Sequence, residues 1–395
     1  MKVLVALSRF PWPLEKGDKL RAYYQIKGLS QDHEVHLVCL SEHAISQADR
    51  DALGFCKSIK VIRHGRFRRI GNLLKAVFSS TPFQVHYFHS PEMKNALVEV
   101  IDREKIDAVF VQLIRLGLNL PNSIATGKGP GWFLDYMDCF SIGMENRIEK
   151  SKWPVRTVVK MEANRLKSYE KQIAARFDGY SMISERDAAG LDPILREEVR
   201  ILPNGVGDHF FEIPANPPTK RYDLIFFGNM GYQPNVESAK YLVEEVVPAL
   251  KTEGVDPQLC IAGARPAKSI QAYANDKIEV TGFVDDIKEY VLAARLAIAP
   301  VIGGQGLQNK LIESMALGIP TLTTPHAHQA VGAESGKEII VCKDAKAFAV
   351  AIKELLADPE KAEAIGQAGK RFVEENYQWD AMNRTLVNFL EDVAK

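Results

Sequence analysis

Short apolar runs alternate with helical patterns along the first half of the chain. The runs are nearly continuous in Val, Ile, Leu and Phe, which is typical of parallel strands that are covered on both faces. They predict strands at residues 3–7, 34–40, 57–62, 108–112, 132–136 and 180–183. This half therefore predicts a doubly wound α/β sheet with helices on both sides.

The second half of the chain shows the same alternation. Its apolar runs predict strands at residues 223–227, 259–262, 278–280, 296–299, 320–323 and 338–341. A Pro-Asn-Gly turn at residues 203–205 separates the two series. We therefore expect two Rossmann-like domains, one at 1–202 and one at 203–379, rather than an array of repeats.

The stretch from residue 298 to residue 324 predicts a strand, a glycine-rich loop, a helix and a second strand. The loop is Gly303-Gly304-Gln305-Gly306, and apolar positions from Leu307 to Ala316 follow at helical spacing. Glycines let a ligand approach the backbone, and the free N–H groups of a helix N-terminus attract phosphate. Lys310 and Glu313 share one face of the helix, which suits a ligand with both phosphate and hydroxyl groups. Alternatively, the loop binds no ligand and the two side chains form a solvated ion pair.

A second candidate site follows the first strand, in the loop Lys16-Gly17-Asp18-Lys19-Leu20-Arg21. It is expected at the carboxyl edge of the sheet, where the ligand crevices of α/β proteins form. Gly17 allows close approach of a substrate, and Lys16, Lys19 and Arg21 supply positive charge for an acceptor or a phosphate. The alternative is a surface loop with solvated cations.

Both segments resemble parts of known glycosyltransferases. The run Glu313-Ser314-Met315-Ala316-Leu317-Gly318-Ile319-Pro320 is similar to the second half of the E-x7-E signature of GT-B glycosyltransferases of family 4. Gln305 stands where that signature has its first glutamate. The loop at 16–21 resembles the N-terminal glycine loop of the same enzymes, closest to sugar transferases associated with exopolysaccharide and PEP-CTERM export systems. The resemblance implies the GT-B fold, in which two Rossmann-like domains face a cleft and the C-terminal helix, at about 380–395, crosses back to the first domain.

The resemblance also implies roles for individual residues. The expected catalytic residues are Gln305, Lys310 and Asp138, and Asp138 lies near where many relatives keep a histidine beside the reacting sugar. The expected donor-binding residues are Glu313, Gly304, Gly306, Leu307, Gly228, Asn229, Val284, Phe283 and Arg265. Family members usually carry Arg and Lys after Gly228, and this chain does not. Lys310 and the cations of the 16–21 loop are expected to replace them. Alternatively, Asp138 caps a helix and the turn at Val284 ends a buried strand.

The resemblance implies transfer of a sugar from a nucleotide-diphosphate sugar to a glycan or lipid-linked acceptor, with retention of configuration, in bacterial surface polysaccharide or glycoconjugate synthesis. The diphosphate is expected on the amides of the glycine loop, and the ribose hydroxyls on the Glu313 carboxylate. No cofactor and no metal are expected, because no Asp-x-Asp stands at a matching strand edge and no His/Cys cluster is present. Two alternatives stay open: a nucleotide-sugar-binding partner subunit without activity, and a GT-B nucleotide-sugar epimerase.

Composition and charge bear on the binding partners of the protein and on its location. Fifty basic and fifty acidic residues cancel, so no overall attraction to nucleic acid is expected. The five cysteines are scattered and are expected to be reduced thiols. No export signal or membrane span is predicted, so we expect a cytoplasmic location. The run at 57–78, in which cations and apolar residues are interleaved, predicts peripheral contact with an anionic membrane at its inner face. The alternative is a solvated surface.

Overall fold

The computed structural model describes residues 1–121, 129–303 and 307–394. Contacts within the chain divide it into two units. Unit 1 consists of residues 1–203 together with 379–395, and unit 2 of residues 204–378. Each unit is built around its own parallel sheet.

The sheet of unit 1 contains all six strands predicted from the apolar runs of the first half. The strands are β1 (Lys2–Leu7), β2 (Glu34–Ser41), β3 (Ser58–Arg63), β4 (Ala108–Gln112), β5 (Gly131–Met137), β6 (Gly179–Met182) and β7 (Arg200–Ile201). Their order is β3-β2-β1-β4-β5-β6-β7, and every described pairing is parallel. The two-residue strand β7 was not predicted, because so short a segment carries no periodic pattern.

Helices cover both faces of this sheet. They are α1 (Gly17–Asp32), α2 (Gln47–Asp51), α3 (Arg66–Val77), α4 (Phe83–Tyr87), α5 (Pro91–Glu104), α6 (Phe140–Lys150), α7 (Val155–Ala174), α8 (Glu185–Ala188) and α9 (Pro193–Glu198). Side chains of β1 alternate between two cores, as the pleat of a strand requires. Val3 and Val5 pack in the core that includes α1, and Leu4 and Ala6 in the core that includes α5 and α7.

Unit 2 contains a second parallel sheet, and the six strands predicted for it are present. They are β8 (Tyr222–Phe227), β9 (Leu259–Ala262), β10 (Ile278–Gly282), β11 (Ala294–Ala299), β12 (Thr321–Thr323) and β13 (Ile340–Val341), in the order β10-β9-β8-β11-β12-β13. The helices are α10 (Gln233–Tyr241), α11 (Val247–Thr252), α12 (Lys268–Gln271), α13 (Ile287–Leu292), α14 (Asn309–Ala316), α15 (Pro325–His328), α16 (Ala345–Ala357) and α17 (Pro359–Asn376).

The last helix, α18 (Trp379–Val393), belongs to unit 1. Its apolar residues join the core that β1 and α1 form, and Trp379 stacks on Tyr24 with ring centroids 5.1 Å apart. Two glycines permit this close contact. A Cβ atom on Gly28 would lie 2.0 Å from the Asn383 side chain, and one on Gly131 would lie 1.9 Å from the backbone oxygen of Val393. The C-terminal segment therefore completes the first sheet's cover.

None of the described helices combines the length and the apolar composition that a bilayer span requires. The five cysteines are free thiols, and four of them are buried.

We expect Gly131→Ala to lower the free energy of unfolding by about 1–3 kcal/mol, because the added methyl group overlaps the backbone of α18 and forces it to move. Gly71→Ala is the matched control, because a Cβ atom there meets nothing within 4 Å and α3 gains helix propensity. Urea unfolding of the two variants measures the difference. Equal stability would show that α18 does not pack this tightly on β5.

Candidate active site

The order of strands reverses once in each sheet, between β1 and β4 in unit 1 and between β8 and β11 in unit 2. Ligand crevices of doubly wound sheets open at such points, beside the carboxyl ends of the strands. The described donor-binding candidates of unit 2 follow the carboxyl ends of β8 (Gly228, Asn229), β9 (Arg265) and β10 (Phe283, Val284), or lie before and within α14 (Leu307, Glu313). Lys310, predicted to be catalytic, also lies in α14. Gly304, Gln305 and Gly306 lie outside the described residues.

The loops after β8 and β9 touch through their backbones. Gly228 and Gly263 have φ angles of 145° and 137°, which glycine adopts without strain. A Cβ atom on Gly263 would lie 1.9 Å from the carbonyl oxygen of Gly228. The Met230 amide donates to the Ala264 carbonyl at 2.8 Å. Sequence reasoning missed Gly263, although its place directly after a predicted strand was a usable signal.

Lys310 reaches from α14 to the carboxyl end of β8. Its ammonium donates to Asn235 Oδ1 at 3.0 Å and to Gln308 Oε1 at 3.1 Å, and the Asn235 amide donates to the Asn229 carbonyl at 2.9 Å. Both acceptors of Lys310 are neutral amides, so its charge is not balanced by a hydrogen-bonded carboxylate within the described residues. This is the loop in which the resembling family carries Arg and Lys. Asn235, to which the sequence analysis gave no role, positions the Lys310 ammonium beside this loop.

Glu313 follows Lys310 by one helical turn and is half-buried. Burial raises the pKa of Glu313 to about 7, and the charge of Lys310 opposes that rise. Burial likewise lowers the pKa of Lys310 to about 8, against the charge of Glu313. No hydrogen bond from the described part of the chain reaches the Glu313 carboxylate. The pair thus places a cation and a carboxylate on one face of α14, and the pKa values of both lie near neutral pH.

The predicted helix start at Leu307 needs correction. α14 begins at Asn309, and Leu307 precedes it with a buried side chain. The Leu311 amide donates to the Gln308 carbonyl at 2.9 Å, so this amide is already used within the turn. An apolar residue at helical spacing was mistaken for the first turn, because packing of the approaching loop produces the same pattern.

The base-binding candidates surround the carboxyl end of β10. Phe283 is 72% exposed, which leaves its ring face open for contact with a planar ligand. Val284 is half-buried, and Asp286 caps α13 by accepting from the Lys288 amide at 2.9 Å. Arg265 follows β9 with a φ angle of 57°, a conformation that L-residues seldom adopt. The predicted turn is therefore an exposed edge rather than the buried end of a strand.

In unit 1, the prediction of Arg21 as a phosphate or acceptor ligand is wrong. Its side chain is fully buried and forks onto Asp135, with Nε–Oδ2 at 2.6 Å and Nη2–Oδ1 at 3.1 Å. It also donates to the Leu202 carbonyl at 2.8 Å. Arg21 follows Lys19 by two positions, which turns it to the buried face of α1. Its positive charge is therefore neutralised inside unit 1 and is not available to a ligand.

The other residues of this loop differ in exposure. Lys16 and Gly17 are exposed at the start of α1, and a Cβ atom on Gly17 would meet only Met137 Cε, at 3.6 Å. Lys19 donates to the Trp12 carbonyl at 3.0 Å, and burial lowers its pKa. Lys16 and Gly17 thus remain the accessible part of the predicted acceptor loop.

Asp138, predicted to be catalytic, follows β5 and is half-buried. Burial and the nearby Asp187 raise its pKa to about 7, while Arg21 and Arg115 act in the opposite direction. It does not cap a helix, because Cys139 is the N-cap of α6. The preceding residue, Met137, has a φ angle of 63° at the carboxyl edge of the sheet. Such strain is common where a backbone positions functional side chains.

A charged cluster at the same edge was missed from the sequence. Arg9 donates to the Asp18 carboxylate, and Arg115 Nη1 lies 3.5 Å from the same oxygen. Burial acts to raise the pKa of Asp18, and the two guanidiniums outweigh it, so the pKa is lowered. Arg9 comes from the end of β1, and Arg115 from the segment after β4, so the cluster stands at the switch point. Their wide separation in sequence leaves no local signal.

One group of possible metal ligands occurs within the described residues, formed by Glu34, His36 and Glu104. Both ring nitrogens of His36 already have partners, Ser58 Oγ at 2.8 Å and Glu34 Oε1 at 3.1 Å. The group stands at the amino end of β2, away from the candidate residues. The expectation that the site uses no metal therefore stays a prediction.

Residues 221–358 match the family described as Glycosyl transferases group 1. The matched segment lies wholly within unit 2. It begins at β8 and ends after α16, so it contains both Lys310 and Glu313 as well as the loops after β8, β9 and β10.

Similar curated proteins extend the comparison beyond this segment. The chain is 22% identical over 401 residues to a Klebsiella pneumoniae protein described as an uncharacterized 44.6 kDa protein in the cps region, over 95% of this chain and 96% of that one. It is 25% identical over 244 residues to the GDP-mannose-dependent monoacylated alpha-(1-6)-phosphatidylinositol monomannoside mannosyltransferase of Corynebacterium glutamicum, over 56% of this chain and 62% of that one.

Solved structures share the fold of the whole chain. Sucrose-phosphate synthase from Thermosynechococcus elongatus superposes with a TM-score of 0.69 at 16% identity, over 99% of both chains. The Anabaena protein HepE, in complex with UDP and glucose, superposes with a TM-score of 0.66 at 14% identity, over 99% of this chain and 100% of that one. The two Rossmann-like units are those of the GT-B fold.

We expect Arg21→Ala to lower the free energy of unfolding by about 3–5 kcal/mol, because Asp135 is left buried without its cation. Lys16→Ala, at an exposed position of the same loop, should change it by less than about 0.5 kcal/mol. Denaturant unfolding followed by circular dichroism measures both. If the two variants were equally stable, the structural role of Arg21 would be refuted.

The raised pKa of Glu313 predicts a pH-dependent stability difference. The native state holds this proton more tightly than the unfolded chain, whose value is about 4.5. Wild-type stability should therefore fall relative to Glu313→Gln as the pH rises from about 5 to about 7, and the difference should level off above that range. Glu363→Gln, at an exposed position of α17, is the control. Parallel stability curves for wild type and Glu313→Gln would contradict the prediction.

Proposed function

We propose that the protein is a glycosyltransferase that moves a sugar from a nucleotide-diphosphate sugar to a glycan or lipid-linked acceptor, with retention of configuration, in bacterial surface polysaccharide or glycoconjugate synthesis. The observation that carries this proposal is the pair Lys310 and Glu313 in the segment that matches the glycosyl transferase family. The pair supplies a cation for a diphosphate and a carboxylate for sugar hydroxyls.

Lys310 is proposed to bind and stabilise the departing diphosphate. Its ammonium is held beside Gly228 by two neutral amide oxygens, so these hydrogen bonds leave its positive charge uncancelled for an anion there. A preorganised cation of this kind lowers the barrier because it needs no rearrangement when charge develops on the leaving group. Gln305, Gly304 and Gly306 are proposed to complete this site on the strength of the sequence resemblance.

Glu313 is proposed to accept hydrogen bonds from the ribose hydroxyls of the donor nucleotide. Its carboxylate has no hydrogen-bond partner among the described residues, and its ionised form is favoured by any bound hydroxyl donor. Phe283 and Val284 are proposed to cover the nucleobase, and Arg265 to reach its ribose side. These residues follow neighbouring strands, so a nucleotide laid along the carboxyl edge meets them in turn.

The acceptor is proposed to use unit 1. Asp138 has a carboxyl whose pKa of about 7 lets it accept or donate a hydrogen bond to a sugar near neutral pH. Lys16 and Gly17 are exposed at the start of α1 on the same sheet edge. The mannosyltransferase relative acts on a phosphatidylinositol mannoside according to its name, and another relative is named for a cps region. Both support a lipid-linked or polysaccharide acceptor.

The donor site is tested first by nucleotide binding to the full-length protein at about pH 7.5, where Glu313 is ionised and Lys310 is protonated. Thermal shift and calorimetry with UDP and GDP should reveal one nucleotide that raises the melting temperature. Glu313→Gln should weaken its binding roughly 10-fold to 100-fold, as expected for loss of a charged hydrogen-bond acceptor. Glu363→Gln should bind as the wild type does. Equal binding by both variants would refute the proposed site.

Transfer is tested with radiolabelled nucleotide sugars and bacterial lipid extracts as acceptors. We expect labelled lipid with the wild type, and a rate lower by roughly 100-fold to 1,000-fold with Lys310→Met, because the leaving diphosphate loses its cation. Nucleotide binding without transfer to any acceptor would favour a non-catalytic partner subunit. Conversion of the free nucleotide sugar to an epimer would favour an epimerase.

A further inference from the structure

Helix α3 turns its apolar side away from the protein. Phe67 and Phe78, at its two ends, are 91% and 94% exposed, and Leu74 between them is 64% exposed. Ordinary surface helices show the opposite arrangement, with the apolar stripe on the core. An exposed stripe of this length marks a contact surface.

The inward side of α3 is largely polar and makes hydrogen bonds and ion pairs with the rest of unit 1. Asn72 is buried and donates to the His89 carbonyl at 2.8 Å. Arg68 pairs with Glu92, and Arg69 pairs with Glu42 at 2.7 Å. These contacts fix the rotation of the helix about its axis. The fold therefore fixes the apolar side of α3 in its outward orientation.

The charged side chains of α3 and of the sequence that flanks it are all positive. Between residues 57 and 91 the chain has seven Lys and Arg residues and no Asp or Glu. Arg63, Arg66 and Lys75 are exposed beside the apolar side chains. Glu92, the first carboxylate after this stretch, is already bound by Arg68. Exposed cations thus border the exposed apolar residues without neutralising neighbours in this segment.

A second exposed segment adjoins the C-terminal end of α3. At the start of α7, Trp153 is 84% exposed, and Val155 and Val158 are about half-exposed. Residues 151–161 contain Lys152, Arg156 and Lys160 and no carboxylate. Further along α7, Arg165 donates to the carbonyls of Ala76 and Val77, at 2.9 and 3.5 Å, which joins the two helices.

We propose that the exposed side of α3 and residues 152–161, together called the lipid-facing surface, dock on an anionic lipid bilayer. Apolar side chains, among them Phe and Trp, enter the boundary between headgroups and acyl chains, while the bordering cations bind anionic headgroups. A bilayer offers both an apolar region for the exposed apolar side chains and anionic headgroups for the cations. A second copy of the chain does not, because symmetric contact would bring like-charged residues together.

The proposal goes beyond the proposed function and does not depend on it, because vesicle binding is measured without donor or acceptor. Cosedimentation of the full chain is measured with vesicles of phosphatidylglycerol and phosphatidylcholine and with vesicles of phosphatidylcholine alone. We expect binding to the anionic vesicles that weakens with salt. Arg66→Glu/Lys75→Glu and Phe67→Ser/Leu74→Ser should each lower the partition coefficient at least about tenfold.

A matched control lies on unit 2. Lys346→Glu/Val350→Ser changes an exposed cation and an exposed apolar residue of α16 and should bind vesicles as the wild type does. Circular dichroism and thermal melting check that all variants are folded. Binding that is absent from anionic vesicles, or equal in all variants, would overturn the proposal. So would a concentration-dependent dimer that the α3 substitutions abolish, because the surface would then join two copies.

Discussion

Parallel strands joined by crossover helices impose one constraint on both units: all carboxyl ends meet at one edge of the sheet, and the strand order reverses once along that edge. In unit 2 the reversal lies between β8 and β11. The backbone contact between Gly228 and Gly263 leaves no room for a side chain there. Lys310 reaches this edge from α14, and a Cβ atom on Gly228 would lie 3.4 Å from its Cε, so topology and glycine placement together locate the charge.

Two buried or half-buried cations illustrate how pairing decides the role of a charge. Arg21 forms a forked ion pair with Asp135 and donates to the Leu202 carbonyl. Its charge therefore stabilises unit 1. Within the described residues, the ammonium of Lys310 donates hydrogen bonds to the amide oxygens of Asn235 and Gln308 and to no carboxylate. A hydrogen bond to a neutral amide orients an ammonium without cancelling its charge. The first cation is structural for that reason, and the second remains available to a ligand.

Much of the fold could be predicted from the sequence, because strands covered on both faces leave continuous apolar runs such as those of β1, β4 and β9. Depth of burial was harder to predict. Arg21 stood in a basic loop motif, and only the turn of α1 shows that it points inward. Leu307 matched a helical period although α14 begins two residues later. Arg9 and Arg115 converge on Asp18 from distant strand ends, which no local pattern records.

The return of α18 to unit 1 affects the order in which the protein is made. α18 shares a core with residues of β1 and α1, which leave the ribosome before unit 2 does. Residues 204–378 must all be translated before that helix exists. Unit 2 is continuous in sequence and can fold while it emerges. During translation part of the apolar core of unit 1 therefore stays uncovered until α18 is made, whereas unit 2 can complete its core before then.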